Sequence, residues 1–246
     1  KQYNEEDQEK LFVIKPLYQR ALIVFGGPLA NFLLAIAIFF CIYTFVGKDF
    51  TPAVINEVQK DSPAMIAGLK DNDIIVSIDG NKVKSIMEVS KFIMMSTDDF
   101  IDFTILRSNQ NLKFKIKPKI VAGEDNLGNK INKRIVGIKL GAYNNEINHV
   151  KLGPVKAIYY SIGEVYYVCT SSLKYLGSII TGAGDSSQLG GPIRIAKITG
   201  QVAEFGILPF LSMMAYISIS LGLVNLFPIP LLDGGHLMFY GLKKVL

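Results

Sequence analysis

Two long apolar runs bracket a stretch of alternating and charged sequence. Residues 21 to 46, ALIVFGGPLANFLLAIAIFFCIYTFV, contain no charged side chain. As a helix they would extend about 39 Å, enough to cross a bilayer core with tilt. A signal peptide has a much shorter apolar region followed by a small-residue cleavage site, so the run predicts a transmembrane helix. The second run, residues 206 to 242, has no Lys, Arg or Glu, and its only carboxylate is Asp233. It is too long for one straight span and too short for two, and Pro228 and Pro230 in its middle remove backbone donors. Residues 206–246 are therefore expected to form a broken transmembrane segment. If the part after Asp233 is helical, the acid lies about 15 Å from the basic end at Lys243, near mid-membrane depth.

Between the runs the period changes to that of a small soluble domain. AVINEV predicts a strand, and Ser62-Pro63 an N-cap with Pro at the first helical position, stopped by Gly68. IIVSI predicts a second strand ended by the Asp79-Gly80 turn. Ser85 and Glu88 have capping-box spacing before a helix through Met95. FIDFTIL and LKFKIK alternate around a turn expected at Asn109 to Asn111, with Leu112, Phe114 and Ile116 on one face. A Gly, Asn and Asp turn region is expected around Glu124 to Asn129, and RIVGIKLG as a closing strand. The wording SPAMIAGLKDNDIIVSIDGNKV and this element order resemble a circularly permuted PDZ domain, placed over residues 51–141. Such domains bind extended chain ends by adding a strand to a sheet edge. Residues 153–181 mix apolar side chains with Tyr159, Tyr160, Tyr166, Tyr167, Tyr175, Glu164 and Lys174, which predicts an amphipathic helix on a membrane surface.

Composition narrows the class. Half of the 246 residues are hydrophobic and the mean hydropathy is +0.32, which leans away from an ordinary soluble enzyme. The net charge of +5 is scattered rather than gathered in a block, so no nucleic-acid partner is expected. Residues 1–20 read as a cytosolic-side segment. Lys10, Lys15 and Arg20 precede the first apolar run, and Lys243 and Lys244 follow the second, which puts both basic flanks on the cytosolic face. Cys41 and Cys169 form no motif and read as structural thiols.

The acid in the apolar run is the candidate for chemistry, because an ionised carboxylate there is costly without compensation. It could be one of three protein ligands of a catalytic zinc. It could also cap the terminal helix, since Asp-Gly-Gly-His after a proline break is a capping pattern. His236, three residues on, could share its helix face, in a metal-binding or a structural role. A second acidic pattern, GAGD at 182–185, matches the GxGD of intramembrane aspartyl proteases. That chemistry needs a second carboxylate in another span, and the first run has none. A Gly-rich turn is the better account of GAGD. The cluster Gly26, Gly27, Pro28 and Asn31 is either a packing notch or the neighbourhood of an active site.

From about Tyr18 to Val245, NLFPIPLLDGGH, GGPLANF, GGPIRIAK and the PDZ-like stretch together closely resemble the site-2 protease family. The resemblance implies an α+β membrane protein performing regulated intramembrane proteolysis with zinc, on transmembrane segments of substrates such as anti-sigma factors. It implies that Asp233 is the carboxylate ligand, that Asn225, Pro228 and Pro230 line the site and hold substrate extended, and that Asn31 lies close by. It also implies a bacterial inner-membrane protein whose PDZ-like domain is extracytoplasmic and gates substrate. The partners implied are a transmembrane protein substrate, an extended chain end and the lipid bilayer. The family's other ligands are the histidines of an HExxH on an earlier helix, whose Glu is the general base. Here only His149 and His236 occur. The sequence is therefore expected to be a fragment lacking both ends, with zinc absent from it and no activity alone. The alternative is a catalytically inactive membrane-anchored PDZ adaptor.

Overall fold

The computed structural model describes residues 15–96, 98–124, 130–142, 148–182 and 191–245. These divide into two compact units. One holds the first helix, Pro154–Cys169 and the segment from Val202 onward; the other holds residues from Ile42 to Gly153 and Thr170–Gln201. The architecture mixes helices and strands.

In the first unit, α1 spans Leu17–Cys41 and continues as a π-helical stretch, Ile42–Val46, that belongs to the second unit. Later in the chain come α4 (Pro154–Ile180), of which the part to Cys169 belongs to this unit, α5 (Pro192–Glu204), which belongs to it only from Val202, α6 (Ile207–Asn225) and α7 (Asp233–Val245). Among the described residues, Leu17–Val46 and Ile207–Asn225 are long and apolar enough to cross a membrane. Only 17% and 28% of their most apolar stretches are buried among the described residues. What they bury is one face each. Ala215, Ser218, Ile219 and Gly222 recur at helical spacing on α6, and Pro28, Ala35 and Phe39 on α1. The Phe39 and Tyr216 rings meet edge to face at 5.4 Å, and the Tyr216 hydroxyl donates to Glu164 Oε1 of α4 at 3.0 Å. The pair tethers the one acid of α4 to α6.

The second unit begins with β1 (Lys48–Asp49) and contains β2 (Ala53–Val58), α2 (Pro63–Ala67), β3 (Ile74–Ile78), β4 (Asn81–Lys82), α3 (Ile86–Met95), β5 (Ile101–Arg107), β6 (Gln110–Ile116), β7 (Lys119–Glu124), β8 (Lys130–Ile135), β9 (Ile138–Ala142) and β10 (His149–Val150). The main sheet runs β6-β5-β3-β2-β9, with β4 on β3. Its core is built by alternation: Ile101, Phe103 and Ile105 of β5, Ile75 and Ile78 of β3 and Ile116 of β6 are fully or nearly fully buried. Ser62 Oγ accepts from the Met65 N–H, Pro63 opens α2, and Gly68 ends it at φ 92°, as the spacing requires. Asp73, 1% exposed, is held by Arg107 through two 2.7 Å bonds and by the Lys70 N–H at 2.8 Å. That bonding pushes the Arg107 guanidinium above its ordinary value.

Three local expectations are corrected. The β5–β6 turn is the two-residue pair Ser108-Asn109, at φ 47° and 65°, one residue earlier than expected. Arg107 pairs with Gln110, and a primed turn suits the strand twist. Ser85 stands at the N-cap of α3, but its side chain makes no capping bond. Glu88 is drawn away instead: it accepts from the Lys84 N–H at 2.7 Å and from Lys48 Nζ at 3.1 Å. The pair Lys48–Glu88 ties the β1–β10 neck of the domain to α3. Finally, RIVGIKLG is not one strand. Gly137, at φ 79°, breaks it into the end of β8 and β9, and β8 pairs with β7 in a hairpin of its own. The turn expected at 124–129 lies, beyond Glu124, outside the described residues, and so do residues 183–190, including Asp185 of GAGD.

Candidate functional site

The break in the second apolar run occupies residues 226–232, between α6 and α7. Two of its residues are prolines without N–H groups, so neither helix can propagate through it. The chain reverses by short bonds: Ile229 N–H to Phe227 O at 2.7 Å, and Leu232 N–H to Ile229 O at 3.1 Å. The second is a turn with Pro230 and Leu231 at its centre. Leu231 has φ 79°, a position where glycine is the usual occupant, and its side chain is 97% exposed.

Glycines let this break fold onto the start of α7. A Cβ on Gly234 would stand 2.3 Å from the Leu226 carbonyl oxygen, and one on Gly235 2.4 Å from that of Ile229. No side chain fits at either place, which is the physical content of the LDGG wording. The Leu232 carbonyl accepts from the Gly235 and His236 N–H groups at 3.0 and 3.4 Å, so the backbone of Leu232 starts the helix.

Asp233 is the first residue of α7. Its carboxylate does not cap the helix: among the described residues nothing hydrogen-bonds it. It lies instead against α1, where a Cβ on Gly27 would be 2.9 Å from Asp233 Oδ2. Gly26, one residue earlier, has nothing within 4 Å of the same construction. A turn further along α1, Asn31 accepts from the Ser218 hydroxyl through its backbone oxygen at 2.8 Å and Oδ1 at 3.4 Å. A Cβ on Gly222 would be 3.1 Å from the Phe32 ring and from the Pro28 oxygen, so α1 and α6 touch there backbone to backbone.

The structure thus brings Asp233 against Gly27, while Asn31, a turn further along α1, meets Ser218 of α6. Asn225 is the last residue of α6 and half-buried, while Pro228 and Pro230 are exposed on the break. His236 is exposed and tilts against the Tyr240 ring at 6.5 Å. His149 is on β10, in the other unit. Among the described residues no three His, Cys, Asp or Glu side chains gather. A carboxylate free of protein donors is a suitable zinc ligand, but the residues described supply one such position and not a complete set. Sequence reasoning missed Ser218 and Gly222, although their four-residue spacing in an apolar run is a readable close-packing signal. Nothing in the sequence pointed to the left-handed Leu231.

A second concavity lies in the other unit. β9 is the end strand of the sheet, and beside it a groove of about 530 Å³ runs between α3 and the β8–β9 corner, lined by Ser90, Ile93, Met94, Arg134 and Leu140. Arg134 donates to the Asp98 carbonyl, its Nε is buried without a partner among the described residues, and burial pulls its guanidinium below the ordinary value.

The chain matches the profile of Peptidase family M50 over residues 2–246. It belongs to that family, as the resemblance to the site-2 proteases implied. A candidate zinc metalloprotease of Agrobacterium fabrum, Atu1380, is 36% identical over 229 residues, 93% of this chain and 61% of that protein. Zinc metalloprotease RasP of Geobacillus kaustophilus is 34% identical over 95% of this chain and 52% of its own length. The chain therefore spans less than two thirds of these relatives. Among solved structures, the PDZ domain of the SdrC-like protein Lmo2051 of Listeria monocytogenes aligns with 26% identity, covering 37% of this chain and 88% of that one, at a TM-score of 0.30.

Proposed function

We propose that this chain forms part of a membrane-embedded zinc metalloprotease that cuts transmembrane segments of other proteins, with Asp233 as one metal ligand. The observation that carries the reading is the Asp233 carboxylate, without a hydrogen-bond partner among the described residues, at a proline break and seated against Gly27 of α1 in a unit with two helices of span length. Family membership supports the peptidase class, and the names of the relatives support zinc. The remaining ligands come from parts of the whole protein other than the described residues. Zinc held by a full set lowers the pKa of a bound water toward neutrality and polarises a peptide carbonyl.

The chain's own residues present the substrate. Pro228 and Pro230 keep residues 226–232 out of a helix, and Asn225 stands at the mouth of the break with its amide as a donor and acceptor. A substrate helix must be unwound before its peptide bond can be attacked, and the backbone groups that the break leaves outside any helix are the surface that meets it. The edge of β9, unpaired among the described residues, and the groove beside α3 take an extended chain end, with an apolar side chain against Ile93, Met94 and Leu140. In this reading the PDZ-like domain is extracytoplasmic and admits substrates already shortened by another protease. The tyrosine-rich exposed face of α4 lies on the lipid surface.

The test is reconstitution of the full-length protein in vesicles with a single-span substrate. Cleavage inside the span, stopped by a chelator and restored by zinc, is expected. Cleavage confined to soluble flanks, or chain-end binding without any cleavage, would favour the adaptor reading. Deleting residues 51–119 should release cleavage of uncut substrates, and unchanged substrate choice would count against gating.

A further inference from the structure

We infer that Gly27 is a positioning residue for the Asp233 carboxylate, and that its missing side chain, rather than helix packing in general, is why α1 carries glycine there. The inference rests on the metalloprotease reading above for its functional consequence, and on geometry alone for the contact. Two adjacent glycines stand on α1, and their surroundings differ. A Cβ on Gly26 meets nothing within 4 Å. A Cβ on Gly27 meets Asp233 Oδ2 at 2.9 Å and the carboxyl carbon at 3.9 Å, and, beyond its own helix, nothing else among the described residues within 4 Å.

That pattern decides what an alanine would do. At Gly222, a Cβ would press on a ring, a backbone oxygen and Asn31 Cβ together, so its role is close approach of two helices. At Gly27 what stands in the way, among the described residues, is the tip of one short side chain. The helices need not separate; the carboxylate alone must turn aside. Asp233 is tied at its own backbone, because the Leu232 carbonyl and the clasp of Gly234 and Gly235 fix the start of α7. With the backbone held, rotation about the side-chain bonds is the only relief, and it carries the oxygens away from α1. Gly27 therefore sets which way the carboxylate points, and Gly26 makes no such contact among the described residues.

The test uses the full-length protein with Gly26→Ala, Gly27→Ala, Asp233→Asn and the double variant Gly27→Ala/Asp233→Asn. Bound zinc, the absorption spectrum of the cobalt-loaded protein, cleavage kcat and KM, and the unfolding midpoint in detergent are measured. Gly27→Ala should keep a midpoint within a few degrees of Gly26→Ala. It should lower kcat on the order of 10²-fold, the cost of misplacing a reacting group by about 1 Å, with KM changed less than about twofold on the same reasoning. Its cobalt spectrum should differ from wild type, and that of Gly26→Ala should not. In the Asp233→Asn background, Gly27→Ala should weaken metal binding no further. Equal kcat and spectra for the two alanine variants would overturn the inference, as would a full Gly27→Ala effect persisting without the carboxylate. Should Asp233→Asn itself keep normal zinc and cleavage, the metalloprotease reading fails and takes this inference with it. A dead Asp233→Asn beside a normal Gly27→Ala sinks only the role of Gly27.

Discussion

Gly234→Ala puts the closure of the proline break under direct strain. The added Cβ would stand 2.3 Å from Leu226 O and 2.4 Å from both Leu226 C and Phe227 O, against an ordinary contact that begins at 3.4 Å. All three atoms are backbone, so no side chain can swing away, and the break must retreat from α7 by about 1 Å. Overpacking of this kind costs about 1–3 kcal/mol. The helix-propensity gain from Gly to Ala is at most about 1 kcal/mol, and less in a first turn. The clash wins by about 1–2 kcal/mol, which in a chain of this size lowers the unfolding midpoint by about 2–8 °C. Because Asp233 precedes the strained residue, the carboxylate moves with it, and cleavage should fall on the order of 10²-fold. The assay is thermal unfolding and turnover of the full-length protein in detergent, with Gly163→Ala in α4 as control. Nothing stands within 4 Å of a Cβ at Gly163, so that variant should be neutral or slightly more stable. A Gly234→Ala protein with wild-type midpoint and turnover would refute the clasp.

Other expectations follow from single contacts. Arg107→Met leaves Asp73 buried without its charge partner and should cost about 3–5 kcal/mol, read as faster hydrogen exchange along β5; Arg107→Met with Asp73→Leu should recover much of it, and a mild single variant would contradict the pairing. Leu231→Gly should raise the unfolding midpoint, since it removes a left-handed leucine that costs about 1–2 kcal/mol; a fall would mean that the exposed side chain has a partner. Glu88→Gln should loosen the β1–β10 neck by about 1 kcal/mol, because only the charge of the part-buried Lys48 pair is lost, and an unchanged exchange rate at Lys48 and Asp49 would count against that tie.

How much of this was readable depends on whether the deciding contact is local. The Ser62 cap, the Gly68 stop and the alternation of Leu112, Phe114 and Ile116 are fixed by neighbours in sequence, and each stands as its spacing requires. Pro228 and Pro230 mark the break for the same reason. The capping box at Ser85 did not form: the Glu88 N–H goes to the Ser85 backbone oxygen at 3.2 Å, and the Glu88 carboxylate is taken up by the Lys84 N–H and by Lys48, forty residues earlier. The split of RIVGIKLG turns on the left-handed Gly137, which no alternation reveals. Asp233 could be singled out by its isolation in an apolar run. The cluster of Gly26, Gly27, Pro28 and Asn31 could be read as a packing notch or the neighbourhood of a site, but that Gly27 is the one that meets Asp233 could not, because the meeting depends on the packing of α1 against α7, between segments far apart in sequence.

The central claim is that Asp233 is a metal ligand at the break. Its most direct test is the zinc content of the purified full-length protein, wild type beside Asp233→Asn, at matched folding by circular dichroism. The account predicts close to one zinc per wild-type chain and a large loss in the variant, with the helical signal unchanged. Equal zinc in both proteins would contradict it and return Asp233 to a structural role at the start of α7.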